Sequence, residues 1–127
     1  MKERQIILNN EYLKIELESG ILIGTFKSES VDIDIAHTIT NFRLEIQSGR
    51  NYPIISNIKA IKNISKEARD FMASEEGCEG VIAAALLIDS SIGQIIGNFF
   101  IKINKPLRPT KIFTDESSAQ KWLAKFL

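Results

Sequence analysis

The chain has 127 residues, of which 44% are hydrophobic and 25% are charged. This composition is typical of a folded globular protein rather than a disordered chain, and the length suits one domain with its own core. Sixteen Lys and Arg residues balance sixteen Asp and Glu residues, so no net positive charge attracts nucleic acid. We therefore predict a single domain over residues 1–127 that does not bind nucleic acid.

Cysteine and histidine are scarce in this sequence. Cys78 and His37 are its only residues of these types, which excludes an intrachain disulfide and the common zinc sites and predicts no cofactor. No Ser, Cys or carboxylate stands at a spacing from His37 that identifies a catalytic triad. The N-terminal residues lack the apolar core of a signal peptide, and no apolar run has the length of a membrane span. These features predict a cytoplasmic protein without membrane insertion.

The chain opens with a predicted β-hairpin. Leu13, Ile15 and Leu17 alternate with charged residues, which is the pattern of a strand with one polar face. Ser19-Gly20 then separates this strand from a second apolar strand over residues 21–26, as expected for a hairpin turn.

A predicted helix from Asp32 to Ser48 follows, because its apolar residues recur at helical spacing. Residues 52–58 predict a strand, and Ser65 is placed as the N-cap of a second helix that runs to about Glu75. The apolar run from Val81 to Ile88 suits a central strand that is covered on both faces.

The third helix is predicted to begin at Ser91, which forms a capping-box pattern with Gln94. Gly93 and Gly97 are expected to let this helix pack closely against a neighbour. One apolar stripe is predicted along it, formed by Ile92, Ile95, Ile96, Phe99, Phe100 and Ile103.

A loop with two prolines at residues 104–109 separates the third helix from a short strand over 111–114. Thr114 is predicted to cap the final helix. The predicted buried face of that helix consists of Ala119, Trp122, Leu123, Phe126 and Leu127.

The predicted order is therefore β-β-α-β-α-β-α-β-α. Strands that alternate with helices favour a mostly parallel sheet, here with five strands, to which the opening hairpin adds an antiparallel edge. We expect an α/β fold in one domain.

This element order resembles the SpoIIAA-like fold of anti-sigma-factor antagonists, also called the STAS fold. The C-terminal string NKPLRPTKIFTD from Asn104, followed by AQKWL from Ala119, is similar to the ending of many bacterial STAS/SEC14-like proteins. Together with YPII from Tyr52 and ISKEAR from Ile64, these motifs resemble an uncharacterised bacterial family of this fold.

The resemblance implies a phosphoacceptor serine at the start of the helix after the third strand. The matching residue here is Ser65, although Ile64 replaces the aspartate of the antagonist motif and no Ser-Gly follows. Helix capping is the alternative role of Ser65. The string DSSIG from Asp89 is closer to the antagonist motif, but it follows the next strand and is interpreted as a coincidence.

Two further sets of polar residues are candidate sites. A polar crevice is predicted at the carboxyl ends of the strands, where ligands of open α/β sheets bind, and its residues are Asn57, Asp89, Ser90, Ser91 and Thr114. A patch for an anion or an acidic partner is predicted around the proline loop, formed by Lys102, Lys105, Arg108 and Lys111. Capping and ordinary solvated surface are the alternative interpretations.

The resemblance and the lack of a catalytic constellation favour a non-enzymatic regulatory or protein-interaction module. Its protein partner is not indicated, and a homodimer is one possibility. The alternative function is a small-molecule or lipid carrier or sensor with a STAS/SEC14-like fold. A carrier requires an apolar cavity, whereas an interaction module requires an apolar or mixed surface patch.

Overall fold

The computed structural model describes residues 3–127, so Met1 and Lys2 of the predicted domain lie outside the described residues. This range forms eight strands: β1 (Gln5–Asn9), β2 (Leu13–Glu18), β3 (Ile21–Phe26), β4 (Ser30–Val31), β5 (Tyr52–Asn57), β6 (Asn63–Ile64), β7 (Val81–Leu87) and β8 (Thr110–Phe113). It also forms four α-helices: α1 (Ile33–Gln47), α2 (Lys66–Ala73), α3 (Ser91–Phe99) and α4 (Glu116–Leu123). A π-helical turn (Phe100–Asn104) extends α3, and a 3-10 turn (Ala124–Phe126) extends α4.

The main sheet has the strand order β1-β2-β3-β5-β7-β8 within the described range. Strands β3, β5, β7 and β8 are parallel, whereas β1 and β2 add an antiparallel edge. The α/β class, the mostly parallel sheet and the antiparallel edge hairpin are confirmed. Strands β4 and β6 form a separate two-stranded parallel sheet.

The predicted count of five strands in the main sheet is wrong, because β1 adds a sixth. Its segment QIILN has no alternating pattern, and it becomes a strand by pairing with β2. Arg4 precedes β1 and anchors it, since its guanidinium donates to Glu18 over 3.2 Å and to Glu116 of α4. The hydrogen bond with Glu116 raises the pKa of Arg4.

The two faces of the sheet carry separate cores. Helices α1, α2 and α3 pack on one face, around a cluster that includes Ile15, Ile39 and Ile54. On the other face α4 contributes Ala119 and Leu123, both 0% exposed, to a second cluster. Its strand residues are Ile21, Ile23, Ile55, Ala83, Ala85 and Leu87. Burying each large aliphatic side chain stabilises the fold by roughly 1.5–3 kcal/mol relative to exposure.

Helix α3 packs on the sheet through its glycines. A Cβ atom built on Gly93 would lie 3.0 Å from Ile88 Cβ, and one built on Gly97 would lie 2.8 Å from Ile112 Cδ1. The predicted close packing through these glycines is therefore confirmed. The predicted apolar stripe is divided, because Ile96 and Phe100 are half-buried while four other members are exposed: Ile92, Ile95, Phe99 and Ile103.

Two predicted helix caps are displaced by one residue. Ser90 rather than Ser91 caps α3, since its hydroxyl accepts from the backbone N–H of Gly93 over 3.1 Å. Asp115 rather than Thr114 caps α4. The predicted burial of Leu127 is also wrong, because this residue is 67% exposed after the 3-10 turn.

Replacing Asp115 with Ala is expected to lower the melting temperature by a few degrees at neutral pH, because Asp115 caps α4. The backbone N–H of Ser118 donates to its carboxylate over 2.8 Å and lowers the pKa of Asp115 below its ordinary 3.8. A lowered pKa means that the unfolded chain binds the proton more readily, so the stabilisation is complete at neutral pH and is lost in acid. The difference in melting temperature between wild type and Asp115→Ala should therefore shrink from about pH 5 to about pH 2.

Thr114→Ala is the matched control, because Thr114 is exposed and does not cap the helix. Thermal unfolding, monitored by circular dichroism, gives the melting temperatures of the wild type and of the two variants. An equal loss of stability from the two substitutions would contradict the assignment of Asp115 as the cap.

Candidate functional site

The predicted polar crevice lies at the carboxyl edge of the sheet. Asn57 pairs in register with Leu87, which pairs with Phe113, so the residues that follow these strands meet at one edge. Asn57 is half-buried, and the other four predicted residues are exposed. No hydrogen bond joins any two of them in the described range, and the side chains of Asn57 and Ser90 accept from backbone N–H groups near them in the chain. The topology gathers these residues without forming a polar pocket from them.

Ser65 is the N-cap of α2, as the sequence predicts. Its hydroxyl accepts from the backbone N–H of Ala68 over 3.1 Å, and the residue is half-buried. Its role as a phosphoacceptor stays a prediction.

The four residues of the predicted basic patch lie in different environments. Lys102 and Lys105 are exposed on or next to the π-helical turn, whereas Arg108 donates from Nε to the carbonyl of Val81 over 3.0 Å. Lys111 lies above the ring of Phe113 with its Nζ 5.6 Å from the centroid. Within residues 3–127 none of these four cations lies within 4 Å of a carboxylate oxygen. Their positive charge is therefore not neutralised by direct ion pairs.

The single histidine and the single cysteine are packed against neighbouring groups. The ring of His37 lies 4.0 Å from that of Phe71, centroid to centroid, which links α1 to α2. Cys78 is buried, with Sγ 3.5 Å from the carbonyl oxygen of Met72. No group of three or more His, Cys, Asp or Glu residues suited to a metal ion occurs among residues 3–127. No helix in this range has the length and apolar character needed to span a membrane.

A cavity of about 130 Å³ lies between the sheet and the layer formed by α1, α2 and α3. Its sheet wall carries small residues, Gly24, Ser56 and Ala84, on three adjacent strands. The remainder of the wall is mainly aliphatic and includes Ile39 of α1 and Ile96 of α3. The cavity exists because small side chains on the central strands leave space beneath the helices.

Three residues with a hydroxyl group line this cavity: Thr40, Ser56 and Thr110, whose hydroxyl donates to the carbonyl of Arg108 over 2.9 Å. Thr40 is 4% exposed, and neither its hydroxyl nor that of Ser56 has a hydrogen-bond partner in the part of the chain that the structure describes. Every fully buried side-chain polar atom in that part does have a partner. The hydroxyl of Thr40 must therefore reach accessible space, which for this residue is the cavity.

Three arginines also line the cavity. Arg43 donates to Gln47 Oε1 over 2.5 Å and to the carbonyls of Glu79 and Gly77 over 2.8 and 3.1 Å. Arg108 binds the carbonyl of Val81, so both arginines hold the segment that leads into β7 and lie at the same end of the cavity. Burial lowers the pKa of Arg43, an effect that the carboxylate of Glu79 partly opposes.

The third arginine lies between α2 and the π-helical turn. Arg69 donates to Asn104 Oδ1 over 3.2 Å and to the carbonyl of Ile64 over 2.8 Å, and its guanidinium lies 4.7 Å from the centre of the Phe99 ring. None of the three arginines forms an ion pair within the described range. Sequence patterns did not indicate this cavity, and Arg108 is the one lining arginine that they had selected.

The outer surface of α3 is apolar, and we refer to Ile92, Ile95, Phe99 and Ile103 as the α3 apolar face. These residues are spaced three, four and four apart, so they are neighbours along the helix and its π-helical extension. Their exposed fractions are 47%, 66%, 44% and 62%. An apolar surface of this kind is typical of an interaction site.

The described residues form a mostly parallel sheet with three helices on one face and one on the other. Comparison with known structures identifies the fold to which this arrangement belongs. An uncharacterised DUF3478-family protein from Shewanella loihica PV-4 with a SpoIIAA-like fold has 13% sequence identity and a TM-score of 0.64. The match covers 97% of this chain and 95% of that chain. The predicted SpoIIAA-like fold is therefore confirmed.

The chain belongs to the family described as domain of unknown function DUF7793, which matches residues 15–127. A protein of unknown function from Arthrobacter sp. FB24 is similar at 26% identity over 94% of this chain and 97% of that chain, with a TM-score of 0.33. No curated protein matches the sequence.

Proposed function

We propose that this protein is a non-enzymatic protein-interaction module that forms a homodimer through the α3 apolar face. The exposure of four large apolar side chains on one helix carries the proposal. Water contact with such a surface is unfavourable, and covering it contributes about 25 cal/mol for each Å² of apolar area removed from water. A regulatory role of the kind that the SpoIIAA-like fold suggests is compatible with such a contact surface, although fold alone does not determine function.

Charge and area favour a second copy of the chain as the occupant. In an antiparallel pairing of two α3 helices, the exposed Asp89 before one helix approaches the exposed Lys102 beyond the other. The apolar residues span roughly 16 Å of helix, and each copy contributes the same surface. Together with their polar surroundings, the two copies can bury on the order of 1,000 Å², which is the minimum expected of a biological interface.

The cavity supports the alternative function of a small-molecule carrier, but it does not support a lipid as the ligand. A volume of about 130 Å³ is too small for a lipid acyl chain and its headgroup, since pockets for drug-sized ligands already need about 300 Å³ or more. Catalysis has less support, because the ring of His37 packs at a tilt against the ring of Phe71.

Ile95→Lys is expected to weaken the dimer by at least about 30-fold, because it places a charge at the centre of the contact. Ile6→Lys is the matched control: Ile6 is also exposed, at 56%, but lies on β1 away from α3. Sedimentation velocity over a concentration series measures the dimer dissociation constants of both variants and of the wild type. A monomeric wild type at micromolar concentration, or an Ile95→Lys variant that dimerises as well as wild type, would contradict the proposal.

A further inference from the structure

The cavity beneath the helices combines features that belong to a ligand site. Its walls are mainly aliphatic, but it also contains the hydroxyl of Thr40, which has no protein partner. An apolar cavity that merely results from loose packing has no need of a polar group that faces inward, because burying an unpaired hydroxyl is unfavourable. A ligand that carries a hydrogen-bonding group would satisfy it.

The charged residues around the cavity indicate the charge of that ligand. Arg43 and Arg108 lie where β7 begins, and their described hydrogen-bond partners are a side-chain amide and backbone carbonyls rather than carboxylates. Arg43 forms three hydrogen bonds, whereas a guanidinium has five N–H donors. The guanidinium of Arg43 is partly buried and has no carboxylate oxygen within 4 Å in the described range, which favours an anion at this end of the cavity.

The volume limits the size of the ligand. An engineered apolar cavity of about 150 Å³ in another protein binds benzene, and this cavity has about 130 Å³. The site therefore accommodates one small ring or a short aliphatic chain beside the arginine end.

From these three observations we infer that the cavity binds a small monocarboxylate with an apolar body, of the size of benzoate or a short-chain fatty acid. The carboxylate faces Arg43 and Arg108, the apolar body lies against the aliphatic walls, and the hydroxyls of Thr40 and Ser56 supply polar contacts within the cavity. This site lies on the inner side of α3, so it is separate from the α3 apolar face and does not depend on the proposed dimer.

The test is a titration of the full chain with benzoate, followed by amide chemical shifts in two-dimensional NMR. We expect saturable shifts at the amides of Gly24, Ala84 and Gly97, which lie around the cavity. Benzyl alcohol is the matched neutral probe, and its affinity should be at least about tenfold weaker, since it lacks the charge that the arginines bind. Equal affinities for the two probes would overturn the inference, as would shifts confined to exposed residues near Arg108.

Two variants separate charge recognition from folding. Arg43→Met should weaken benzoate binding by at least about tenfold while benzyl alcohol binding changes little. Because Arg43 also holds the carbonyls of Gly77 and Glu79, Arg108→Met is the second variant, since Arg108 is exposed and holds one backbone carbonyl, that of Val81. Undiminished benzoate binding by both folded variants, or no binding by wild type, would overturn the inference.

Discussion

Gly77→Ala is expected to lower the free energy of unfolding by about 3 kcal/mol or more, because an added methyl group would overlap the backbone. A Cβ atom built on Gly77 lies 2.2 Å from the carbonyl oxygen of Phe71 and 2.7 Å from the Cα of Met72. The Phe71 carbonyl cannot move away without cost, since it accepts from the backbone N–H and the hydroxyl of Ser74. The turn after α2 must therefore shift as a unit.

This shift would also affect the cavity. Arg43 donates to the carbonyl of Gly77 over 3.1 Å, so movement of the turn weakens one of the contacts that fix the guanidinium. Urea denaturation measures the change in stability. Gly49→Ala is the control, because Gly49 has a φ of +83° but open space around its Cβ position, and its cost should be limited to backbone strain of about 1 kcal/mol. A smaller loss from Gly77→Ala than from Gly49→Ala would contradict the steric argument.

The order of the central elements could be predicted from sequence because each has a strong local pattern. Alternation at Leu13, Ile15 and Leu17 predicts β2, and the apolar run from Val81 predicts β7, a strand between two neighbours. The N-cap of α2 at Ser65 is similarly local, since a hydroxyl reaches the N–H three residues later. Such features depend on neighbours in the chain and therefore remain visible in the sequence.

The features that sequence analysis missed depend on residues far apart in the chain. Strand β1 forms through pairing with β2 and through the contact of Arg4 with α4. Close packing through Gly93 and Gly97 was predicted, but the apolar stripe did not show that the side of α3 with these glycines faces the sheet. The hydrophobic pattern therefore predicted one apolar stripe, although four of its six residues lie on the exposed side of α3 and its extension.

The cavity is the clearest case of a feature without a local signal. Gly24, Ser56 and Ala84 are separated by about thirty residues each, and only the parallel register of β3, β5 and β7 brings them under the same helices. Arg43 belongs to a helix that shows an ordinary amphipathic pattern. The selection of candidate sites from sequence was therefore biased toward loop residues, whereas the cavity is built from the interior faces of regular elements.

Leu123→Ala is expected to lower the free energy of unfolding by about 3 kcal/mol, because it opens a cavity in the core beneath α4. Leu123 is 0% exposed and packs with Ala119 against the strands, and α4 is the one helix that covers this face within residues 3–127. No second helix can compensate for the lost contacts. For a chain of this length the melting temperature should fall by roughly 10 °C.

Leu127→Ala is the matched control for this substitution, since the same atoms are removed four residues later from a side chain that is 67% exposed. Its cost should remain within about 0.5 kcal/mol. Thermal and urea unfolding of the two variants compare one chemical change at two levels of burial. Similar losses of stability from both substitutions would mean that α4 does not hold the second face of the sheet. A loss confined to Leu123→Ala would identify Leu123 as the residue that fixes α4 on the sheet. Because Glu116 of α4 accepts a hydrogen bond from Arg4, Leu123 would then also stabilise the position of β1.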